Sequence, residues 1–121
     1  MALKILSVDD DPSITKLLSI LLGSYGMKVI IANSGAQGVE MARNESPDLV
    51  LLDIMMPDMN GLEVCQAIRT FSDVPILAFS ALGGRDQVAK AMEAGFNGFL
   101  EKPASGDVLV AHITKLTEGR G

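Results

Sequence analysis

The sequence predicts an α/β fold in which five strand–helix repeats build one doubly wound, five-stranded parallel sheet. Three observations predict it. Short apolar runs alternate with segments whose apolar residues recur at helical spacing. The alternation repeats about every 20 to 25 residues, the length of one βα unit with its connections. Four runs end in polar, reactive-looking residues: 3–8 leads into Asp9, Asp10 and Asp11, 49–52 into Asp53, 75–79 into Ser80, and 99–100 into Glu101 and Lys102. A parallel sheet brings the last residue of each strand to one edge, where ligands of open α/β sheets bind.

The elements follow in order. Residues 3–8 read as a buried strand, after which Asp11 caps a helix whose first residue is Pro12, where a missing N–H costs least. Ile14, Leu17, Leu18, Leu21 and Leu22 are expected to form its core face, and the segment from Gly23 to Gly26 stops it before a strand at 28–32. Ser34 starts a second helix, with Gln37 at capping-box spacing, ending near Glu45, Ser46 and Pro47. The strand at 49–52 delivers Asp53, and the loop 54–60 follows. Asn60 and Glu63 stand at capping-box spacing before a helix that buries Val64, Cys65, Ile68 and Phe71. A strand at 75–79, a loop at 80–84 and a helix at 85–94 with Val88, Ala91 and Met92 inward come next. The last strand is expected at 97–100, and the last helix spans 105–117 with Leu109, Ile113 and Leu116 inward. Residues 118–121 read as a frayed tail.

Composition narrows the function. At 121 residues the chain is expected to form a single domain over 1–121. No apolar run approaches a membrane span, and residues 1–8 are too short and weakly charged for a signal peptide, so a soluble cytoplasmic protein without membrane insertion is expected. A net charge of −5 with scattered Lys and Arg argues against direct nucleic-acid binding and for protein partners. The single Cys65 cannot form an internal disulfide and reads as a small core residue. With no Trp and one Tyr, the core is aliphatic.

Three aspartates, a hydroxyl and a lysine at one sheet edge form an unusual set. Carboxylates that close repel unless a cation sits between them, and clustered oxygens favour Mg²⁺, with Mn²⁺ a possible substitute. A metal-assisted phosphate site is the hypothesis the residues support. Asp11 and Asn60 read more simply as helix caps, Asp58 as a turn residue, and the lone His112 as a surface or partly packed side chain. Met55, Met56 and Met59 are expected to cover the pocket and loop.

Asp9–Asp10 after the first strand, Asp53 in LLDIMMPDMNG, Ser80–Ala81 after the fourth strand and Lys102–Pro103 after the fifth give the chain its likeness. It resembles the receiver domain of two-component response regulators, the CheY-like superfamily, over almost its whole length. The resemblance implies strand order 2-1-3-4-5 in a flavodoxin-like three-layer sandwich. It makes Asp53 the acceptor of a phosphoryl group from a histidine kinase or phosphotransfer protein. Asp10 and Asp53 would ligate Mg²⁺ directly, Asp9 through water, and Met55 through its backbone carbonyl. Lys102 and Ser80 would bind the phosphoryl oxygens. Ser80 and Phe99 would carry the switch to a face made of 85–94, 97–100 and 105–117, which would meet a downstream protein target or output domain, as a monomer or a phosphorylation-dependent dimer. Such a domain is not an enzyme in the usual sense, since it catalyses only its own phosphorylation and dephosphorylation. Three positions depart from the family pattern. Phe99 stands where tyrosine is common, while Ala104 is small where a large apolar residue is usual and Phe96 large where a small one is usual; these two volumes are expected to compensate each other.

Two other classes fit less well. An aspartyl phosphatase also uses an Asp nucleophile and Mg²⁺, but it resembles a DxD signature, and Met55 stands at the second position. A flavodoxin-like nucleotide binder should offer Ser, Thr and Gly N–H groups in its first loop, where this chain has three carboxylates. The reading is a stand-alone receiver domain, with a receiver piece cut from a longer regulator as the third alternative.

Overall fold

A computed structural model describes residues 2–57 and 59–118. Asp58 and the last three residues of the tail lie outside the described residues. The elements alternate as β1 (Lys4–Val8), α1 (Pro12–Ser24), β2 (Lys28–Ala32), α2 (Gly35–Glu45), β3 (Leu49–Leu52), α3 (Gly61–Arg69), β4 (Ile76–Ser80), α4 (Arg85–Ala94), β5 (Gly98–Glu101) and α5 (Gly106–Thr117). All strand pairs are parallel, in the order β2-β1-β3-β4-β5. No helix among the described residues is long and apolar enough to cross a membrane.

Alternation along the strands feeds two cores, one on each face of the sheet. Leu6, Val8, Val50, Leu52, Ile76 and Ala78 pack with Val64, Cys65 and Ile68 of α3 and Ala91 of α4. Ile5, Leu49, Leu51, Leu77 and Phe79 pack with Leu18 and Leu22 of α1 and Leu109 and Ile113 of α5. Helices on both faces make the three layers. Cys65 is fully buried, and its thiol, pushed up by burial, donates to the Ala94 carbonyl.

The caps follow local chemistry. Asp11 accepts from the Ser13 amide before Pro12 opens α1, and Asn60 and Glu63 form the full reciprocal box at α3. At α2 only half the box forms. Ser34 accepts from the Gln37 amide, but the Gln37 Oε1 takes the Asn33 N–H, one residue before the cap.

Several expectations need correction. Leu17 is 61% exposed, because the buried arc of α1 runs through Thr15, Leu18 and Leu22 and leaves Leu17 beside it. On α4 only Ala91 is buried, while Val88 and Met92 face outward. Phe71 lies beyond α3, half-buried beneath the Arg43 guanidinium. Strands β4 and β5 each run one residue later than expected, since Ser80 and Glu101 pair across them. Asn97 is excluded from β5; its Oδ1 instead accepts from the Ile76 amide and from Arg69. Met56 and Met59 turn into the core and only Met55 is exposed, so the three do not form a common cover. Ala104 packs on the α1–α5 side and Phe96 on the α3–α4 side, so the sheet separates them and their volumes cannot compensate.

Candidate functional site

Strand register assembles the site. Val8 pairs with Leu52, so Asp9 and Asp53 leave neighbouring strands side by side. The Asp53 amide donates to the Val8 carbonyl at 3.0 Å, and the Asp9 amide to Ala32 of β2 at 3.1 Å. On the other side the Lys102 amide bonds the Ser80 carbonyl at 2.8 Å, which carries the lysine to the same edge.

Asp9, Asp10 and Asp53 each present a carboxylate oxygen within 4.8 Å of the others. Asp9 and Asp53 are buried and Asp10 is exposed. Lys102 Nζ sits 3.1 Å from Asp9 Oδ2 and 3.7 Å from Asp53 Oδ2, and lies over the Phe79 ring. The Met55 amide donates to Asp53 Oδ1 at 3.1 Å, while the Met55 side chain points to solvent. Ser80 is buried, with its Oγ accepting from the Leu82 amide. Phe99, opposite Ala78 in the sheet, is half-buried against the α3–α4 core.

Charge is unevenly balanced here. Burial pushes the Asp53 carboxyl above the usual carboxylate range; Lys102 and the Met55 N–H pull it back, and Asp9 and Asp10 push it up again. A second cation would relieve that excess of negative charge. Three hard oxygen donors from three side chains, with nitrogen and sulfur absent from the set, suit Mg²⁺ better than a soft metal.

Asp11 is turned away into its cap, and its hydrogen bonds from Ser13 hold its carboxyl below the usual range. His112 is half-buried on α5 beside Val108 and Lys115.

Two contributors have no sequence motif. Gly61 opens α3 directly against the loop after β3, so that a Cβ there would lie 2.6 Å from the Asp53 carbonyl oxygen; its amide bonds the Ile54 carbonyl. The glycine next to a capping asparagine was the available signal. Asn33 reaches across from the loop after β2 to the Asp9 carbonyl, for which no local pattern exists.

Comparison with known proteins agrees with this fold. The family model described as the response regulator receiver domain matches residues 5–114. The chain is similar to the DNA-binding response regulator MtrA of Mycolicibacterium smegmatis, at 39% identity over 93% of this chain and 50% of that protein. It is 42% identical to a probable transcriptional regulator, ycf27, of Guillardia theta, over 91% of this chain and 43% of that one. The chain thus spans about half the length of these curated relatives. Among solved structures, the BeF₃-activated N-terminal receiver domain of Klebsiella pneumoniae RstA superposes with a TM-score of 0.90 at 31% identity, covering 95% of this chain and 98% of that one.

Proposed function

The chain belongs to the response regulator receiver domain family, and from that premise we propose that it is a phosphorylation-activated switch that takes a phosphoryl group on Asp53 from a histidine kinase or phosphotransfer protein. The observation that carries this reading is the half-compensated Asp53 carboxylate, gathered with those of Asp9 and Asp10 while Lys102 bridges Asp9 and Asp53.

The residues have separate tasks. Asp53 supplies the attacking oxygen; the O–P bond forms as the P–N bond to the donor imidazole breaks, and the electron pair leaves with the imidazole. Asp10, Asp53 and the Met55 carbonyl would hold Mg²⁺, with Asp9 acting through water. Bound there, Mg²⁺ neutralises anionic charge so that a carboxylate can approach a phosphoryl group. Lys102, already poised between Asp9 and Asp53, offers its ammonium to the phosphoryl oxygens, and Ser80 offers its hydroxyl. Their backbones are bonded to each other across β4 and β5, so an ordering of either is felt on the face of α4, β5 and α5. Exposed Val88 and Met92 on α4 and Val108 on α5 give that face apolar area for a protein target or output domain. Phe99 lies on the strand between them.

In this reading the domain works in the cytoplasm, as a monomer or a phosphorylation-dependent dimer, and modifies only itself. In this reading the domain itself binds no nucleic acid. Incubation with acetyl phosphate and Mg²⁺ followed by intact-mass measurement tests it. A gain of one phosphoryl group in the parent and none in Asp53→Asn is expected; undiminished labelling of that variant refutes the assignment.

A further inference from the structure

Asp9 and Asp10 belong to a short loop whose three consecutive carboxylates repel one another, so something must hold the loop in a shape that keeps two of them at the pocket. Asp11 removes itself by capping α1, and its amide donates to Asp9 Oδ1 at 3.0 Å. The peptide between Asp9 and Asp10 is gripped from outside the loop. Asn33 Nδ2, on the loop between β2 and α2, donates to the Asp9 carbonyl at 2.8 Å and to Thr15 Oγ1 at 3.0 Å. Thr15 is one of the few polar residues in the interior, 1% exposed, and its hydroxyl donates onward to the Pro12 carbonyl at 3.1 Å.

This orientation is chemically fixed. A carbonyl only accepts, so the Asn33 amide must turn its NH₂ towards Asp9; the second N–H then meets a hydroxyl whose own proton is committed to Pro12. Both donors of the amide are used. Asn33 is itself held, because Gln37 Oε1 takes its backbone N–H at 2.9 Å, which is why the α2 capping box stays half-formed. The carbonyl of Asp9 and the amide of Asp10 share one rigid plane. Holding that oxygen therefore sets the direction in which the Asp10 Cα and carboxylate leave the loop.

The geometry points to Asn33, acting through Thr15 and the Asp9–Asp10 peptide, as a positioning residue that preorganises the acidic loop for a divalent cation. The inference deepens the metal-pocket reading above and rests on it. Asn33 touches neither metal nor phosphoryl group. Its effect is to lower the cost of gathering like charges before the cation arrives.

The test is Mg²⁺ titration by isothermal calorimetry, alongside urea unfolding in the absence of Mg²⁺, on the parent, Asn33→Ala, Thr15→Val, Thr15→Ser and the Asn33→Ala/Thr15→Val double variant. Asn33→Ala is expected to weaken Mg²⁺ binding about tenfold. Thr15→Val keeps the shape but loses the hydroxyl, and should weaken binding too; Thr15→Ser loses a buried methyl, lowering stability, yet retains the parent affinity. The double variant should be little worse than Asn33→Ala alone, since both act on one network. A role confined to folding would instead leave affinity unchanged in all four variants while stability fell, and that result overturns the inference. Fully additive effects of the two residues would overturn the shared network. A parent that binds no Mg²⁺ would overturn the metal-pocket reading itself, and the inference with it.

Discussion

Replacing Asp53 by Asn should stabilise the metal-free domain and remove most of its response to Mg²⁺. The carboxylate oxygens of Asp9, Asp10 and Asp53 lie within 4.8 Å of one another, so at an effective dielectric of about 20 each repulsion on Asp53 costs about 3 to 4 kcal/mol before screening. Lys102, at 3.7 Å, returns about 4.5 kcal/mol on the same scale. Asp10 is exposed and its share is screened by salt. With the burial penalty added, ionised Asp53 is left a net burden of about 1 to 2 kcal/mol, in line with its raised pKa. Asn keeps an acceptor for the Met55 N–H and leaves the 3.1 Å pair between Lys102 and Asp9 in place.

For a chain of 121 residues, that gain corresponds to a rise of about 4 to 8 °C in melting temperature. The pH dependence has a definite sign. Below the unfolded carboxylate pKa of about 3.9, residue 53 of the parent is neutral in both states, and parent and variant should match. As pH rises through the elevated folded pKa, the parent loses stability relative to the variant, and the gap stays open at neutral pH. Mg²⁺ at about ten times its Kd should add about 1.4 kcal/mol to the parent, and less than half of that to the variant. Thermal unfolding followed by circular dichroism, with chelator or Mg²⁺ across the acid-to-neutral range, measures all three. A variant that melts at or below the parent in chelator at neutral pH, or that keeps the full Mg²⁺ response, refutes the electrostatic account.

Other predictions address separate parts of the site. Gly61→Ala should lower stability by about 2 kcal/mol or more, because its Cβ has to displace the backbone that carries Asp53; an unchanged urea midpoint would contradict the close approach. Lys102→Ala should destabilise the metal-free domain by about 2 kcal/mol, as it strands two buried carboxylates. The same variant should still accept a phosphoryl group but lose the phosphorylation-dependent change in amide exchange over α4 and α5, and a response as large as the parent's would sink the coupling. Met55 and Leu82 are exposed apolar side chains beside Asp53 and Ser80. In Met55→Asn/Leu82→Glu, polar groups that orient a water should quicken loss of the phosphoryl group about tenfold, equivalent to ~1.4 kcal/mol, as read from phosphate release after donor removal. Equal or slower loss shows that these positions do not control water access.

Local chemistry determined much of this molecule. Apolar runs bounded by Gly, Pro, Ser and Asp made the strand–helix alternation legible, and Asp11, Asn60 and Glu63 marked their helix starts because a cap needs only residues within one turn. Since a parallel sheet delivers every strand end to one edge, the gathering of Asp9, Asp10, Asp53, Ser80 and Lys102 at that edge was legible in the sequence alone. Tertiary structure decided what each face met. Helical period groups Leu17 with Leu18 and Leu21 but does not say how wide an arc the sheet covers, so Leu17, Val88 and Met92 ended outside. Long-range polar partners were equally invisible. Arg69 bonds the carbonyls of Ser72, Val74 and Gly95 and the side chain of Asn97, and Asn33 grips a peptide 24 positions away. A donor chooses such acceptors only after packing has brought their backbones within about 3 Å, a distance that no pattern along the chain encodes.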